Sequence, residues 1–239
     1  MRLSVVVPAY NEERLLGATL AAIRTAAACF DADGWELVVC DNNSTDRTAE
    51  IARAAGARVV FEPHNQIARA RNRGAVAATG EWLVFIDADS TPSAALFADL
   101  REAIAGGRVI GGGCTLSADH DSLPVRAVMA LWNGISRTMR WAAGAFVYCR
   151  RDVFEATGGF SQELYASEEL ELSGRLKRLA RAQGLEFRIL HRHPLRTSAR
   201  KLHLYGWAEM LRVFGRFLRH PHRMLRSAKE CSPWYDGRR

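Results

Sequence analysis

Residues Trp82-Leu83-Val84-Phe85-Ile86-Asp87-Ala88-Asp89 decide how the chain is read. Five apolar or aromatic side chains in a row, with no polar alternation, make a strand covered on both faces. The run then ends in two carboxylates one residue apart. Buried carboxylates are costly unless something positive sits with them. Hard divalent cations such as Mg²⁺ take one or two carboxylates together with substrate phosphates. In open α/β sheets, ligands gather at the carboxyl ends of the strands. The junction therefore predicts a metal and a phosphorylated ligand at the end of a central strand.

Outward from this strand, the apolar runs Leu3–Val7, Glu36–Cys40 and Arg58–Phe61 read as three more strands, the first stopped by Pro8. Helical patterns lie between them over 11–29, 46–55 and 66–78. Ser44 or Thr45 is the expected N-cap of the second helix, Gly56 its stop, and Gly80 closes the third. This alternation predicts an α/β fold built on a mostly parallel sheet flanked by helices, with right-handed crossovers. The pattern is looser after Asp89. Helices are expected over 93–105, 124–140, 151–157 and 167–183. Strands are expected over 108–116, entered through a flexible Gly111-Gly112-Gly113, and over 144–149 and 185–190. One domain over 1–200 and a basic amphipathic helical extension over 201–239 is the economical division.

The chain has 239 residues, 48% hydrophobic and 25% charged, enough for a sizeable core. Its five cysteines include no CxxC pair, which argues against a disulfide framework and for a reducing, cytoplasmic location. Only five residues separate Arg2 from Pro8, too few for the apolar part of a secretion signal. No stretch approaches the roughly 20 apolar residues of a spanning helix. The net charge of +7 is uneven: residues 191–239 hold 12 Lys and Arg against 3 Asp and Glu, and the rest of the chain holds 21 against 23. A nucleic-acid enzyme more often spreads basic residues around its cleft, so no nucleic-acid partner is expected. A basic tail points to anionic lipid, a polyanion or an acidic partner. Trp207, Leu211, Phe214 and Leu218 share one helical face, with Arg212, Arg216 and Arg219 on the other. That pattern reads as an interfacial helix on the inner membrane surface, or as a helix packed on the domain.

Polar groups collect where the strands end. Pro8-Ala9-Tyr10-Asn11-Glu12 closes the first strand, and Cys40-Asp41-Asn42-Asn43-Ser44-Thr45-Asp46 closes the second. With Asp87 and Asp89 they offer a nucleotide what it needs: aromatic or backbone groups for the base, a carboxylate for ribose or base donors, and a metal for the diphosphate. Residues 43–46 also read as simple helix capping. Asp41 precedes the cap and is not explained by it.

In order along the chain, VVVPAYNEE, ELVVCDNNSTDRT, ARARNRGAVAATGEWLVFIDADS and GAFVYCRRDVFEATGGFSQELYASEELELSGRLKRL resemble the motifs of a family-2 glycosyltransferase of the inverting, GT-A type. The resemblance covers about residues 3–200; each motif alone is weak, and four in order are strong. It implies a nucleotide-diphosphate sugar donor, a UDP-sugar first and a GDP-sugar second, and an acceptor hydroxyl on a glycan, lipid or small molecule. It implies that Pro8, Ala9, Tyr10, Glu12, Asp41 and Asn43 line the nucleotide pocket. Asp87 and Ala88 join them, with Arg71 and Asn72 on a flanking helix; a surface helix Arg is the alternative reading of Arg71. Asp89 would ligate Mg²⁺ or Mn²⁺ directly, Asp87 would lie near the ribose or metal, and His191 or His193 would be a third ligand. Arg196 and Arg200 are alternative partners of the diphosphate. The family's usual Glu-Asp pair is Glu168-Glu169 here, which puts Glu169 at the position of the catalytic base. Glu168 would then orient the acceptor, and Glu171 would face solvent. The alternative is an acid-rich first turn favoured by the helix dipole. Gly144-Ala145-Phe146 and Gly158-Gly159-Phe160 match acceptor-side positions or simple turns. Trp132 and Trp141 stack on a sugar or pack in the core.

The chemistry stands beside the resemblance. A metal between the phosphates stabilises the charge that grows on the leaving group, and a carboxylate removes the acceptor proton. A sugar nucleotidyltransferase is disfavoured because the loop after the first strand is acidic rather than Gly-rich and basic. A dinucleotide-binding Rossmann protein is disfavoured because no GxGxxG follows that strand. A non-catalytic nucleotide-sugar or polyanion-binding protein stays open on the Glu-Glu departure.

Overall fold

The computed structural model describes residues 2–31, 34–120, 122–198, 200, 225–227 and 231. The elements run β1 (Leu3–Ala9), α1 (Leu16–Ala27), β2 (Trp35–Asp41), α2 (Thr48–Ala54), β3 (Arg58–Phe61), α3 (Ile67–Ala77), β4 (Trp82–Ile86) and β5 (Ser90–Thr91). They continue with α4 (Ala94–Ala105), β6 (Val109–Ala118), α5 (Leu123–Met139), β7 (Phe146–Arg150), α6 (Arg151–Ala156), α7 (Glu168–Ala182) and β8 (Glu186–Thr197).

One sheet takes the order β3-β2-β1-β4-β7-β6-β8-β5. The first four strands of that order are parallel, as their α-helical crossovers require. β7 runs antiparallel to both β4 and β6, and β8 runs parallel to β6. The sheet is therefore mixed, parallel in its first half and mixed in its second. β4 is central, and its side chains alternate between two cores. Val84 and Ile86 pack with Leu16, Leu20 and Leu100 on one face, and Leu83 and Phe85 pack with Phe154, Phe160 and Leu172 on the other. The unbroken apolar run is thus a strand buried on both sides.

Four local expectations are corrected. Gly111-Gly112-Gly113 is no flexible entry but the paired middle of β6, where a Cβ on Gly112 would lie 1.7 Å from the Arg188 carbonyl oxygen. α2 starts at Thr48, later than expected, with Arg47 at the N-cap position, and Asp46 Oδ1 just before it accepts from the Thr48 amide at 2.9 Å. Gly80 is not the stop of α3, since Ala78 is already extended. β8 continues past residue 190 to Thr197 and so carries the chain back to Asp89.

The expected amphipathic helix over 205–226 lies outside the described residues apart from its end. There the Leu225 carbonyl accepts from the Tyr165 amide at 2.6 Å, and Arg226 pairs with Glu163 at 2.9 Å. Among the described residues no helix is long and apolar enough to cross a membrane.

Candidate active site

The carboxyl ends of β1 and β4 open into one pocket. Pro8, Ala9, Tyr10, Glu12, Asp87, Ala88 and Asp89 all line it. Asn42, Asn65 and Ile67 complete the wall. The sequence signalled Asn42 only through its place beside Asp41, and nothing in the pattern pointed to Asn65 or Ile67.

Two expected residues sit elsewhere. Asn43 takes a left-handed φ of 65° and is exposed outside the lining. Asp41 is buried, and its Oδ1 accepts from the Ser44 amide at 3.0 Å. It closes the turn after β2, so local turn chemistry accounts for a carboxylate that capping had left unexplained.

The same segment ties two loops together. Asn11 Oδ1 accepts from the Thr45 amide at 2.8 Å, and the Asn11 amide donates to Ser44 Oγ at 3.0 Å. The Glu12 amide donates to Thr48 Oγ1 at 2.8 Å. These bonds between the loop after β1 and the start of α2 fix Tyr10 and Glu12 at the pocket edge.

Asp89 is reached by the returning chain. Its carbonyl accepts from the Ser198 amide at 3.2 Å, and Arg200 Nη2 lies 3.8 Å from its Oδ2. The same Nη2 donates to Glu12 Oε1 at 2.9 Å and Oε2 at 3.1 Å. His191 does not join the pair of aspartates: it is exposed, with Nδ1 3.4 Å from the Ile189 carbonyl. His193 is drawn to Asp99 on α4, with Nδ1 2.9 Å from Oδ2, and Arg192 holds the same carboxylate at 2.7 Å. Among the described residues no third His, Cys, Asp or Glu completes a metal cluster. Two hard carboxylates at the mouth of a pocket still fit a divalent cation that takes its other ligands from phosphate and water.

Arg71 is the centre of the second half of the site. It is only 2% exposed, which rules out the surface-helix reading. Nη1 donates to Glu168 Oε1 at 2.6 Å, and Nη2 donates to Asp87 Oδ1 at 2.9 Å and to the Gly144 carbonyl at 2.8 Å. The guanidinium carbon sits 5.1 Å from the Phe160 ring centre. Arg71 stands behind the pocket wall rather than in it. Its neighbour Asn72 is turned to structure, donating to the Phe160 carbonyl at 2.8 Å and accepting from the Phe160 amide at 2.9 Å.

At the start of α7 the two adjacent glutamates part company. Glu168 is buried, and its Oε1 accepts from Arg71 Nη1. Glu169 is half-buried beside Gly144, where an added Cβ would lie 3.4 Å from its Cδ. Burial, then the negative charge of Glu168, pushes the Glu169 carboxyl up to about 8, against the pull of Arg71. Glu171 pairs with Arg175 at 2.5 Å near the surface. Trp141 is half-buried, and the Lys177 ammonium lies 5.8 Å from its ring centre. Chemically, the arrangement offers a carboxylate-edged pocket for a diphosphate and a separate carboxyl group able to exchange a proton. Arg71 holds the two together.

Residues 4–160 match the family model described as glycosyl transferase family 2. The uncharacterized glycosyltransferase Rv0539 of Mycobacterium tuberculosis is 43% identical over 91 residues, 38% of this chain and 38% of that protein. The chain thus aligns with little more than a third of that relative's length. Among solved structures, the mannosyltransferase PcManGT from Pyrobaculum calidifontis, in complex with GDP-Man and Mn²⁺, superposes with a TM-score of 0.67. The identity is 21%, over 98% of this chain and 67% of that one. The glucosyl-3-phosphoglycerate synthase of Mycobacterium tuberculosis, in complex with Mn²⁺, UDP-Glc and phosphoglyceric acid, does so with a TM-score of 0.59. There the identity is 22%, over 89% of this chain and 77% of that one. At these identities the superpositions speak to the fold, which is the GT-A fold.

Proposed function

The chain belongs to glycosyl transferase family 2, and from that premise we propose that it moves a sugar from a nucleoside-diphosphate sugar to an acceptor hydroxyl, with inversion at the anomeric carbon. The observation that carries the reading is the position of Arg71, which links Asp87 in the pocket to Glu168 beside Glu169. Donor and base are thereby held on one rigid support, as a displacement needs.

Pro8, Tyr10, Asn42 and Asn65 would receive the nucleoside, and Glu12 with Arg200 would border the ribose and diphosphate. Asp89, with Asp87, would hold Mg²⁺ or Mn²⁺; when bound, the cation stabilises negative charge on the leaving diphosphate. Glu169 takes the acceptor proton. The acceptor oxygen forms its bond to the anomeric carbon on the face opposite the diphosphate, and the electron pair of the broken carbon–oxygen bond leaves with the diphosphate. A UDP-sugar is the favoured donor and a GDP-sugar the alternative; structural relatives bind one or the other together with Mn²⁺.

A binding-only protein is the second reading, and it draws on the same Glu169, since a carboxyl group held protonated takes no proton. Thermal unfolding with UDP or GDP, with and without Mn²⁺, tests the donor site. A metal-dependent rise with one nucleotide is expected, and no rise with either sinks the donor reading. Release of nucleoside diphosphate from UDP-glucose, UDP-N-acetylglucosamine or GDP-mannose with Mn²⁺ separates enzyme from binder.

A further inference from the structure

α5 packs on the domain along a narrow seam, with only Val125 and Ser136 buried. Its opposite face is apolar and open to water. Leu123 is 79% exposed, Leu131 67% and Met139 49%, with Val128 and Ile135 between them. Val128, Leu131, Ile135 and Met139 recur at i, i+3, i+7 and i+11, one stripe along three turns. Apolar side chains scattered singly over a surface are ordinary, but an aligned and largely exposed row is an interaction surface.

The charges on this helix have one sign. Arg126 and Arg137 are its charged residues, both exposed and eleven positions apart, so they share one line along the helix, on the side turned away from the stripe. Arg140 follows, and no Asp or Glu occurs from Ser122 to Arg151. A groove beside the helix is lined by Leu116, Ala118, Val125 and Met129, with Arg126 at its rim. An acidic protein surface would answer the arginines but not the aliphatic row. A second copy of the chain seated on the row would answer the row but leave the arginines unanswered. A bilayer with anionic headgroups answers both: aliphatic side chains enter the acyl boundary while arginine heads meet phosphates.

We propose that α5 is an interfacial helix that seats the domain on an anionic lipid bilayer. The helix is anchored to the site at its far end. Lys177 donates to the Met139 carbonyl at 2.9 Å, and the chain runs on through Trp141 and Ala142 to Gly144 beside Glu169. Seated in this way, the Glu169 site works on an acceptor presented at the bilayer surface. That last step rests on the glycosyl-transfer reading, whereas the docking itself does not.

The test is co-sedimentation of the full chain with vesicles of phosphatidylcholine alone and of phosphatidylcholine with phosphatidylglycerol. Binding to the anionic vesicles only is expected. The Leu131→Glu/Ile135→Glu variant should weaken it by at least roughly tenfold, the scale expected for losing two buried aliphatic chains. Arg126→Glu/Arg137→Glu should weaken it too and remove its salt dependence. All four positions are exposed, and unchanged thermal unfolding confirms that the variants fold. Failure of the wild-type chain to bind, or equal binding by the Leu131→Glu/Ile135→Glu variant, overturns the proposal. So does a wild-type dimer in light scattering that this variant dissolves. A chain that binds vesicles but is stabilised by no nucleoside diphosphate keeps the docking and loses the transfer reading.

Discussion

Arg71 and Glu168 form a buried ion pair, 2.6 Å from Nη1 to Oε1, with side-chain exposures of 2% and 5%. The other arm of the same guanidinium holds Asp87 and the Gly144 carbonyl. One planar cation thus joins α3, the end of β4, the approach to β7 and the start of α7. A lysine ammonium could not present the same fixed fork to acceptors on three sides. The balance of charge is also uneven. A single guanidinium faces Glu168, Asp87 and the nearby Glu169, so the pocket keeps an excess of negative charge that a divalent cation would offset.

Arg71→Met should leave Glu168 buried without a partner, and removing one member of a buried pair costs about 3–5 kcal/mol. Arg71→Lys keeps the charge but cannot make all three bonds, and should fall between the variant and wild type. Urea unfolding of the three proteins measures this. A loss below about 1 kcal/mol for Arg71→Met, the range of an exposed pair, would show that Glu168 finds water or another partner.

Glu169 gives the site a pH dependence of known sign. Its carboxyl is raised to about 8 by burial and by Glu168, with Arg71 opposing and Asp87 adding to the rise. A base must be ionised, so transfer rises with pH through this range, and positive charge bound at Asp87 and Asp89 moves the limb lower. Glu169→Gln should remove transfer and the limb while UDP with Mn²⁺ still raises the melting temperature. Stability runs the other way. A carboxyl with a raised folded pKa contributes stability that is complete below the unfolded value and is lost as pH rises through the folded one. Wild type should therefore lose stability relative to Glu169→Gln between about pH 4.5 and 8 and no further above it. A difference that stays flat across this window would place Glu169 in water.

The first four strands and their parallel pairing were legible because β4 advertises burial on both faces and the first three crossovers follow one rule. The reversal at β7 was not, since antiparallel insertion between β4 and β6 depends on pairings far apart in sequence. Among the site residues, those on the first and fourth strand ends were legible from their position alone. Asn65 and Ile67 were not, because they reach the pocket from a loop and a helix whose local pattern is ordinary. Arg71 was placed beside the nucleotide by the family resemblance, and nothing in its local pattern separated it from a surface helix arginine. Its burial depends on Asp87, Gly144 and Glu168, the last 97 positions away. Glu168 and Glu169 differ by one position on a helix and so by about 100° in direction. Which of them turns inward is settled by Arg71 and not by either residue's own type.

Arg200 and a metal would share Asp89. Arg200 lies 3.8 Å from Asp89 and is bonded to both oxygens of Glu12, so it already places positive charge where a cation would bind. Arg200→Ala should tighten binding of Mn²⁺ alone, by less than about tenfold, since a pair this long contributes at most about 1 kcal/mol. The same change should weaken UDP with Mn²⁺, because the diphosphate loses a nearby guanidinium. Calorimetric titration with Mn²⁺ and then with UDP reads both directions. Loss of both affinities together would mean that Arg200 shapes the pocket instead of sharing its charge.

Gly144 is the point where the two halves of the site touch, and its lack of a side chain has a measurable consequence. Its carbonyl accepts from Arg71, and a Cβ there would stand 3.1 Å from Arg71 Nη2 and 3.4 Å from Glu169 Cδ. The first distance is too close for comfort and the second is ordinary contact, so Gly144→Ala displaces the guanidinium before it displaces the carboxylate. Overpacking of this kind costs about 1–3 kcal/mol, and a small shift at Arg71 moves Asp87 with it. Donor binding should therefore weaken in Gly144→Ala, although residue 144 does not line the pocket at the ends of β1 and β4. If Arg71 transmits the change, Gly144→Ala combined with Arg71→Met should lose no more donor affinity than Arg71→Met alone, since residues sharing one partner do not add. Additive losses in that double-mutant cycle would show that Gly144 acts on the pocket by a route that bypasses Arg71.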